Sequence, residues 1–127
     1  MVRYQFDPES FGIILIATVR GEGKKRMKVI LDTGASYLVI PWHIAESIGY
    51  VPGSSKERCT ITTADSSIYA PLITLKSVSI LGRSVDNVKA IVHNLPESSR
   101  VDGLLGLSFL KHFKLTIDFK EGTMELD

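Results

Sequence analysis

The chain has 127 residues, of which 44% are hydrophobic and 23% are charged, and its formal net charge is +1. This length and this balance are typical of a globular protein, so we expect one domain over residues 1–127. A net charge so close to zero argues against electrostatic capture of nucleic acid or of an anionic membrane.

Cys59 is the single cysteine, so the chain has no intrachain disulfide and no cysteine-rich metal site. This favours a reducing compartment, such as the cytoplasm, although a disulfide-free periplasmic protein has the same pattern. The apolar run 11–19 is too short to span a bilayer and lacks the flanks of a secretory signal. We therefore expect no membrane span in this segment. A domain cut from a longer, membrane-anchored chain would have the same pattern.

Most of the chain is predicted as short strands rich in β-branched residues, separated by turns with Gly, Ser, Asn or Asp. In chain order the predicted strands are 11–20, 26–32, 37–40, 58–63, 68–75, 77–81, 85–93, 114–119 and 123–126. Short helices are predicted at 41–49, between Pro41 and Gly49, and at 107–113, where apolar residues have helical spacing. This pattern predicts an all-β, closed, barrel-like domain with one or two short helices.

One carboxylate, Asp32, lies between two apolar runs in the stretch 28-KVILDTGASYLVIP-41. A buried, unpaired charge is costly, so the position needs an explanation. Gly34 permits a sharp turn with an open N–H, and Thr33 and Ser36 carry hydroxyls that can donate to a carboxylate. An ordinary Asx turn would explain an isolated Asp-Thr-Gly as well. The residues alone leave open whether Asp32 is a turn residue or an acid with tuned ionisation.

The context of this stretch is more specific than the tripeptide. Two hydrophobic residues, then Asp-Thr-Gly-Ala-Ser, then an apolar strand resemble the active-site motif of aspartic proteases in their single-lobe, retropepsin-like form. The hairpin 58-RCTITTADSSIYAP-71 is similar to the flap of that family, and 102-DGLLGLSFLKHFKLTIDFKEGTMEL-126 resembles its C-terminal block. The resemblance covers roughly residues 11–126 and indicates a cellular or bacterial member rather than a viral one. It implies an acid-protease fold with a flap hairpin.

The resemblance implies an aspartic endopeptidase, in which a pair of Asp carboxylates activates water to hydrolyse a peptide bond. The chain has one Asp-Thr-Gly, and Asp102, the obvious second acid, is not followed by Thr or Ser. A two-fold axis beside Asp32 would supply a second Asp32 from another copy. We therefore expect a homodimer with an Asp32/Asp32 dyad, and a peptide or protein as substrate.

Family resemblance also implies roles for individual residues. Asp32 is the expected catalytic residue, with Thr33 bracing the two loops, Gly34 bonding the carboxylate and Ser36 as a nearby donor. The supporting loop is Thr33, Gly34, Ala35 and Ser36; the flap that contacts substrate is Thr63, Ala64, Asp65, Ser66 and Ser67; the structural turn at the active site is Leu104, Leu105 and Gly106. The flap tip lacks the glycines frequent in viral members, which predicts a stiffer tip or another turn type.

Other titratable residues have simpler interpretations. Asp102 is interpreted as the cap of the turn before the second helix. The dispersed His43, His93 and His112 lack metal-ligand spacing, so neither a metal nor a cofactor is expected.

Two other functions stay open beside the enzyme. One is a catalytically weak or inactive module of the same fold that binds peptides or dimerises. The other is a monomeric barrel in which Asp32 belongs to an ordinary turn. The intact Asp-Thr-Gly-Ala-Ser favours the enzyme, because a binding module has no need of the acid.

Overall fold

The computed structural model describes residues 1–62 and 64–127, which form mainly β-strands with two short α-helices. In chain order these are β1 (Val2–Gln5), β2 (Ile14–Arg20), β3 (Lys24–Leu31), β4 (Leu38–Ile40), α1 (Trp42–Ser47), β5 (Arg58–Thr62), β6 (Ser67–Ile80), β7 (Arg83–Val92), β8 (Gly103–Leu105), α2 (Leu107–Leu110), β9 (Leu115–Asp118) and β10 (Thr123–Leu126). One-turn 3₁₀ helices occur at Pro52–Ser54 and Glu97–Ser99. The predicted all-β class is confirmed.

The central sheet closes on itself as a barrel. Its strands follow the order β2–β3–β8–β4–β7–β6, and β6 also pairs with β2, which closes the ring. Strand β5 pairs with β6 and extends the sheet beyond the barrel. Most neighbours are antiparallel, whereas β3–β8 and β4–β7 are parallel. The predicted closed barrel is therefore confirmed.

Strand β6 is longer than the sequence predicted. We expected a break at Lys76, but Ser67–Ile80 is one strand, in which Lys76 is an exposed position. The strand is long because it pairs first with β5 and then with β7 and β2. Pro71 opposes Arg58 of β5, and pairing with β7 begins only at Leu72. The proline thus lies where β6 has one neighbour, as expected for a residue without an N–H.

A three-stranded sheet, ordered β1–β10–β9, packs beside the barrel. The β9–β10 hairpin was predicted, whereas β1 was not, because four alternating residues carry little signal without their partner strand. Tyr4 ties this sheet to the barrel, since its hydroxyl donates to the carbonyl oxygen of Ile14 at 2.9 Å.

Two apolar clusters hold these elements together. The main core fills the barrel and includes the fully buried Leu15, Met27, Leu75, Leu105 and Phe109. A smaller cluster contains Val39, Ala70, Leu72 and Ile91. It joins the outer hairpin, β5–β6, to strands β4 and β7. The hairpin is therefore anchored at its base by apolar packing.

Both predicted helices are present but shorter than expected. Helix α1 follows Pro41, and Gly49 with φ 101° lies just beyond its end, as the pattern predicted. Helix α2 ends at Leu110 instead of Phe113, although the rings of Phe109 and Phe113 still pack at 5.1 Å. Neither helix in the described ranges has the length and apolar character needed to cross a membrane.

Candidate active site

Asp32 lies on the loop between β3 and β4. Its backbone N–H donates to the carbonyl oxygen of Leu105 at 3.0 Å, so the loop starts against the parallel neighbour β8. The Gly34 N–H donates to Asp32 Oδ1 at 2.9 Å, and the Ala35 N–H donates to Asp32 O at 3.2 Å. The backbone of its own turn therefore orients the carboxylate, and the predicted bond from Gly34 is present.

The loop is less buried than its apolar flanks suggested. Asp32 and Ala35 are half-buried, whereas Thr33, Gly34 and Ser36 are exposed. In the part of the chain that the structure describes, the hydroxyls of Thr33 and Ser36 make no hydrogen bond to Asp32. The carboxylate is thus satisfied by the Gly34 N–H and by solvent contact, which removes the apparent cost of a buried charge.

Helix α2 supports the other side of the loop through backbone hydrogen bonds. The Leu107 N–H donates to Ala35 O at 2.8 Å, and the Ser108 N–H donates to Ser36 O at 2.9 Å. These bonds fix the loop at two consecutive residues, which limits how far Asp32 can move.

Gly106 allows this close approach. A Cβ at this position would lie 2.6 Å from Ala35 O and closer still to Tyr37 O. Such a separation is below any normal van der Waals contact, so only glycine fits between β8 and the loop without displacing it.

The predicted structural turn divides into two parts. Leu104 and Leu105 belong to strand β8, because they pair in register with Ile30 and Leu31 of β3. For these two residues the prediction of a turn is wrong, and the cause is a parallel pairing that local sequence does not reveal. Gly106 follows the strand and leads into α2.

Ser108 is a buried polar residue that was not predicted from the sequence. Its hydroxyl accepts the Leu38 N–H at 3.0 Å and donates to Lys89 O at 2.8 Å. It thereby joins α2 to the start of β4 and to β7, directly behind the Asp32 loop. The only available signal was a serine between Leu107 and Phe109, since a hydroxyl in apolar surroundings needs partners.

Ser108→Ala is expected to lower the free energy of unfolding by about 1–3 kcal/mol, because two backbone groups lose their hydrogen-bond partner. Urea denaturation followed by circular dichroism measures the change. Ser84→Ala, at an exposed position of β7, is the matched control and should change stability by less than about 0.5 kcal/mol. Equal effects in the two variants would contradict the role of Ser108.

A cleft of about 350 Å³ opens beside the Asp32 loop. The loop forms one wall, β5 forms another, and apolar side chains form the floor. The lining residues are Gly34, Ala35, Ser36, Tyr37, Val39, Cys59, Thr60, Ile61, Thr62, Ile91 and Leu104. A volume of this size, mainly apolar with a few polar groups, is typical of a binding site for small groups or side chains.

An ion pair joins β7 to the base of the outer hairpin. Lys89 Nζ lies 2.9 Å from Glu57 Oε2, just before β5. The hydrogen bond to Glu57, together with the attraction of its charge, raises the pKa of Lys89 above the ordinary value. Both side chains are exposed, so the pair adds little stability, and apolar packing remains the main attachment of the hairpin.

The predicted flap corresponds to the far end of the outer hairpin. Strand β5 ends at Thr62, which pairs with Ser67 at the start of β6. The described residues of the predicted tip are all exposed: Ala64, Asp65, Ser66 and Ser67. Thr63, which was predicted to belong to the tip, lies outside the described residues. The hairpin is present, and its contact with substrate stays a prediction.

Asp102 is held away from Asp32. Its Oδ2 accepts the Lys28 N–H at 2.8 Å, and its own N–H donates to Lys28 O at 2.8 Å. Lys28 precedes Asp32 by four residues of extended chain, or about 13 Å. Asp102 therefore prolongs the β3–β8 pairing. The prediction that it caps the turn before the second helix is wrong. It borders a separate open depression of about 490 Å³ beside Pro41.

The remaining titratable groups are dispersed. Cys59 has a free thiol that lines the cleft, with Sγ 3.8 Å from Thr60 O. Among residues 1–62 and 64–127, no three His, Cys, Asp or Glu side chains are grouped so that they could hold a metal ion.

Comparisons with known proteins agree with this architecture. A family model described as gag-polyprotein putative aspartyl protease matches residues 17–112. The crystal structure of a retropepsin-like aspartic protease from Rickettsia conorii superposes with a TM-score of 0.74 at 29% identity, and the match covers 98% of this chain and 88% of that chain.

A curated relative is longer than this chain. It is an uncharacterized protein in the cobV 5' region of a Sinorhizobium species, 32% identical over 100 residues. The match covers 78% of this chain and 40% of that protein. The aligned part thus spans less than half the length of the relative.

Proposed function

The chain belongs to the retropepsin-like aspartyl protease family, and from this premise we propose that it is an aspartic endopeptidase that acts as a homodimer. The two relatives described above come from bacteria. The observation that carries the proposal is the Asp32 loop, where the Gly34 N–H orients a half-buried carboxylate next to a mainly apolar cleft.

The proposed chemistry needs two carboxylates, one as a base and one as an acid. Within this chain Asp102 is occupied by the backbone of Lys28. A two-fold axis beside Asp32 would bring in an identical carboxylate from a second copy. The exposure of Thr33 supports this arrangement, because it leaves the loop a surface with which to meet its copy.

In the proposed dyad the two Asp32 carboxyls share one proton, because adjacent carboxylates do not readily ionise together. The ionised carboxylate takes a proton from water, whose oxygen attacks the peptide carbonyl carbon. The protonated carboxyl gives its proton to the carbonyl oxygen, which forms a gem-diol. One carboxyl then protonates the nitrogen while the other takes back a diol proton, and the C–N bond breaks. An amine and a carboxylic acid leave, and the dyad again holds one proton.

The cleft supports an extended peptide as substrate. Among residues 1–62 and 64–127, β5 is the last strand of its sheet, so its outer edge can pair with a peptide backbone. The floor of Val39, Ile91 and Leu104 would receive apolar side chains. In this proposal the tip of the outer hairpin covers the bound peptide, with the residues Thr63, Ala64, Asp65, Ser66 and Ser67.

The active species is expected to have twice the 14.0 kDa of the single chain. Because each site needs two chains, cleavage per chain should fall as the protein is diluted below the dissociation constant of the dimer. Sedimentation velocity and cleavage of a fluorogenic peptide, measured over one dilution series between about pH 3 and pH 7, test this directly.

Three outcomes would change the proposal. If the protein sedimented as a monomer and its activity per chain stayed constant on dilution, the shared dyad would be contradicted. A dimer that cleaves nothing would favour the peptide-binding module. A monomer without activity would favour an ordinary barrel with an Asp turn.

A further inference from the structure

Four basic side chains lie on the outer face of one barrel wall. This basic face consists of Arg20, Lys24, Arg26 and Lys28. In the register of β2 and β3, Arg20 pairs with Lys24, Thr18 with Arg26 and Ile16 with Lys28. Directly paired residues of an antiparallel ladder share one face. The alternate positions Ala17, Val19, Met27 and Val29 are buried, and only Lys25, near the turn, is exposed among them. All four bases therefore project from the same surface.

Small hydroxyl residues continue this surface on the neighbouring strands. Thr18 of β2 pairs with Ser79 of β6, and Ser79 pairs with Ser84 of β7. Ile16 lies among the bases with 44% of its surface exposed. On this face the three bases of β3 follow one another, and Arg20, Thr18 and Ile16 of β2 lie opposite them.

The four bases make no ion pair in the described part of the chain, although the same face also carries one acid, since Arg20 pairs with Ser77 of β6 and Ser77 pairs with Asp86 of β7. Across residues 1–62 and 64–127, none of the four bases has a carboxylate within 4.0 Å. The nearby Asp102 directs its carboxylate to the backbone N–H of Lys28. Arg20 directly opposite Lys24 is a destabilising like-charge pair. A destabilising pair of like charges that no contact inside the fold offsets is typical of a binding surface.

We propose that the basic face docks the protein onto an anionic lipid bilayer. A plane of lipid headgroups can contact all four cations at once, and the hydroxyls beside them can bond phosphate oxygens. Ile16 is placed to reach the boundary between headgroups and acyl chains. A nucleic acid fits less well, because the side chains of this face offer no aromatic ring on which a base could stack.

The formal net charge predicted no such partner because it averages over the whole chain. Of the 15 Lys and Arg residues, strand pairing gathers four on one wall. Contact with a bilayer surface requires no spanning segment. The inference stands apart from the proposed protease function, because it uses none of the residues of the Asp32 loop or the cleft.

Binding of the full chain to phosphatidylcholine vesicles with and without phosphatidylglycerol tests the proposal by co-sedimentation. Each Lys or Arg at an anionic surface strengthens partitioning about fivefold. The double variant Arg26→Gln with Lys28→Gln should therefore partition about 25-fold more weakly. The matched control, Lys114→Gln with Lys120→Gln, has the same net charge with the basic face intact, and should stay within about threefold of the wild type.

A second double variant, Arg20→Gln with Lys24→Gln, should show the same loss without loss of stability, because it also removes the like-charge pair. Urea midpoints verify folding in every variant. Failure of the wild type to bind the anionic vesicles would overturn the proposal, as would equal losses in the face and control variants. Tighter binding to polyglutamate or single-stranded DNA than to vesicles, at one ionic strength, would assign the face to another partner and also overturn it.

Discussion

Asp32→Asn is expected to abolish peptide cleavage while the fold and the dimer stay intact. The amide has the same shape, and its oxygen can still accept the Gly34 N–H. It cannot take a proton from water, and a dyad of two Asn side chains has neither a base nor an acid. General acid–base groups contribute about 10²–10⁴-fold each, so loss of both should lower kcat by about 10⁴-fold or more.

Asp102→Asn is the matched control for this variant. The substitution removes the same charge, and the new amide oxygen can still accept the Lys28 N–H. Cleavage of a fluorogenic peptide should therefore stay near the wild-type rate. If Asp32→Asn cleaved as fast as the wild type, Asp32 would not be the catalytic acid.

A mixing experiment tests whether two chains share one dyad. Each mixed dimer holds a single Asp32, so excess Asp32→Asn chain should suppress the activity of the wild type by mass action. Asp102→Asn chain added in the same excess should not suppress it. Activity that is insensitive to the Asp32→Asn chain would mean that each chain works alone.

Gly106→Ala is expected to lower the free energy of unfolding by about 3 kcal/mol. The new Cβ would collide with the carbonyl oxygens of Ala35 and Tyr37, which are backbone atoms and cannot rotate away. Relief requires the loop to move off α2, which breaks the bond from the Leu107 N–H to Ala35 O. Because this displaces Asp32, cleavage should fall together with stability.

Gly53→Ala provides the comparison for this variant. Gly53 lies in a 3₁₀ turn, and a Cβ there would meet no atom within 4 Å. The urea midpoint of this variant should indicate a change in the free energy of unfolding of less than about 0.5 kcal/mol. A comparable loss in both variants would show that the close contact at Gly106 is not the cause.

The part of the fold that could be predicted from the sequence is formed by residues close to one another in the chain. The hairpins β2–β3, β6–β7 and β9–β10 each join strands that are adjacent in the chain, and their turns contain glycine. Gly82 and Gly122 have φ of 79° and 74°, conformations that glycine adopts at low cost. The position of Asp32 at the end of a strand was also visible, because the apolar run stops there.

Pairing between distant segments accounts for what was missed. Leu104 and Leu105 looked like a turn because their partners, Ile30 and Leu31, lie far away in the chain. Strand β1 and the buried hydroxyl of Ser108 likewise have meaning only beside their partners. The basic face could not be predicted for a similar reason, because the net charge carries no information on the register in which β2 and β3 pair.

The support of the Asp32 loop also has a consequence for the order of folding. Leu38 and Ser108, whose hydrogen bond lies behind the loop, are 70 residues apart, and Lys28 and Asp102 are 74 apart. Contacts of such separation form slowly, because a long loop must close before they stabilise the chain. A chain still on the ribosome would carry Asp32 on an unsupported strand until residues 103–108 emerged. The Asp32 loop would therefore gain its support only after residues 103–108 have been synthesised and have folded against it.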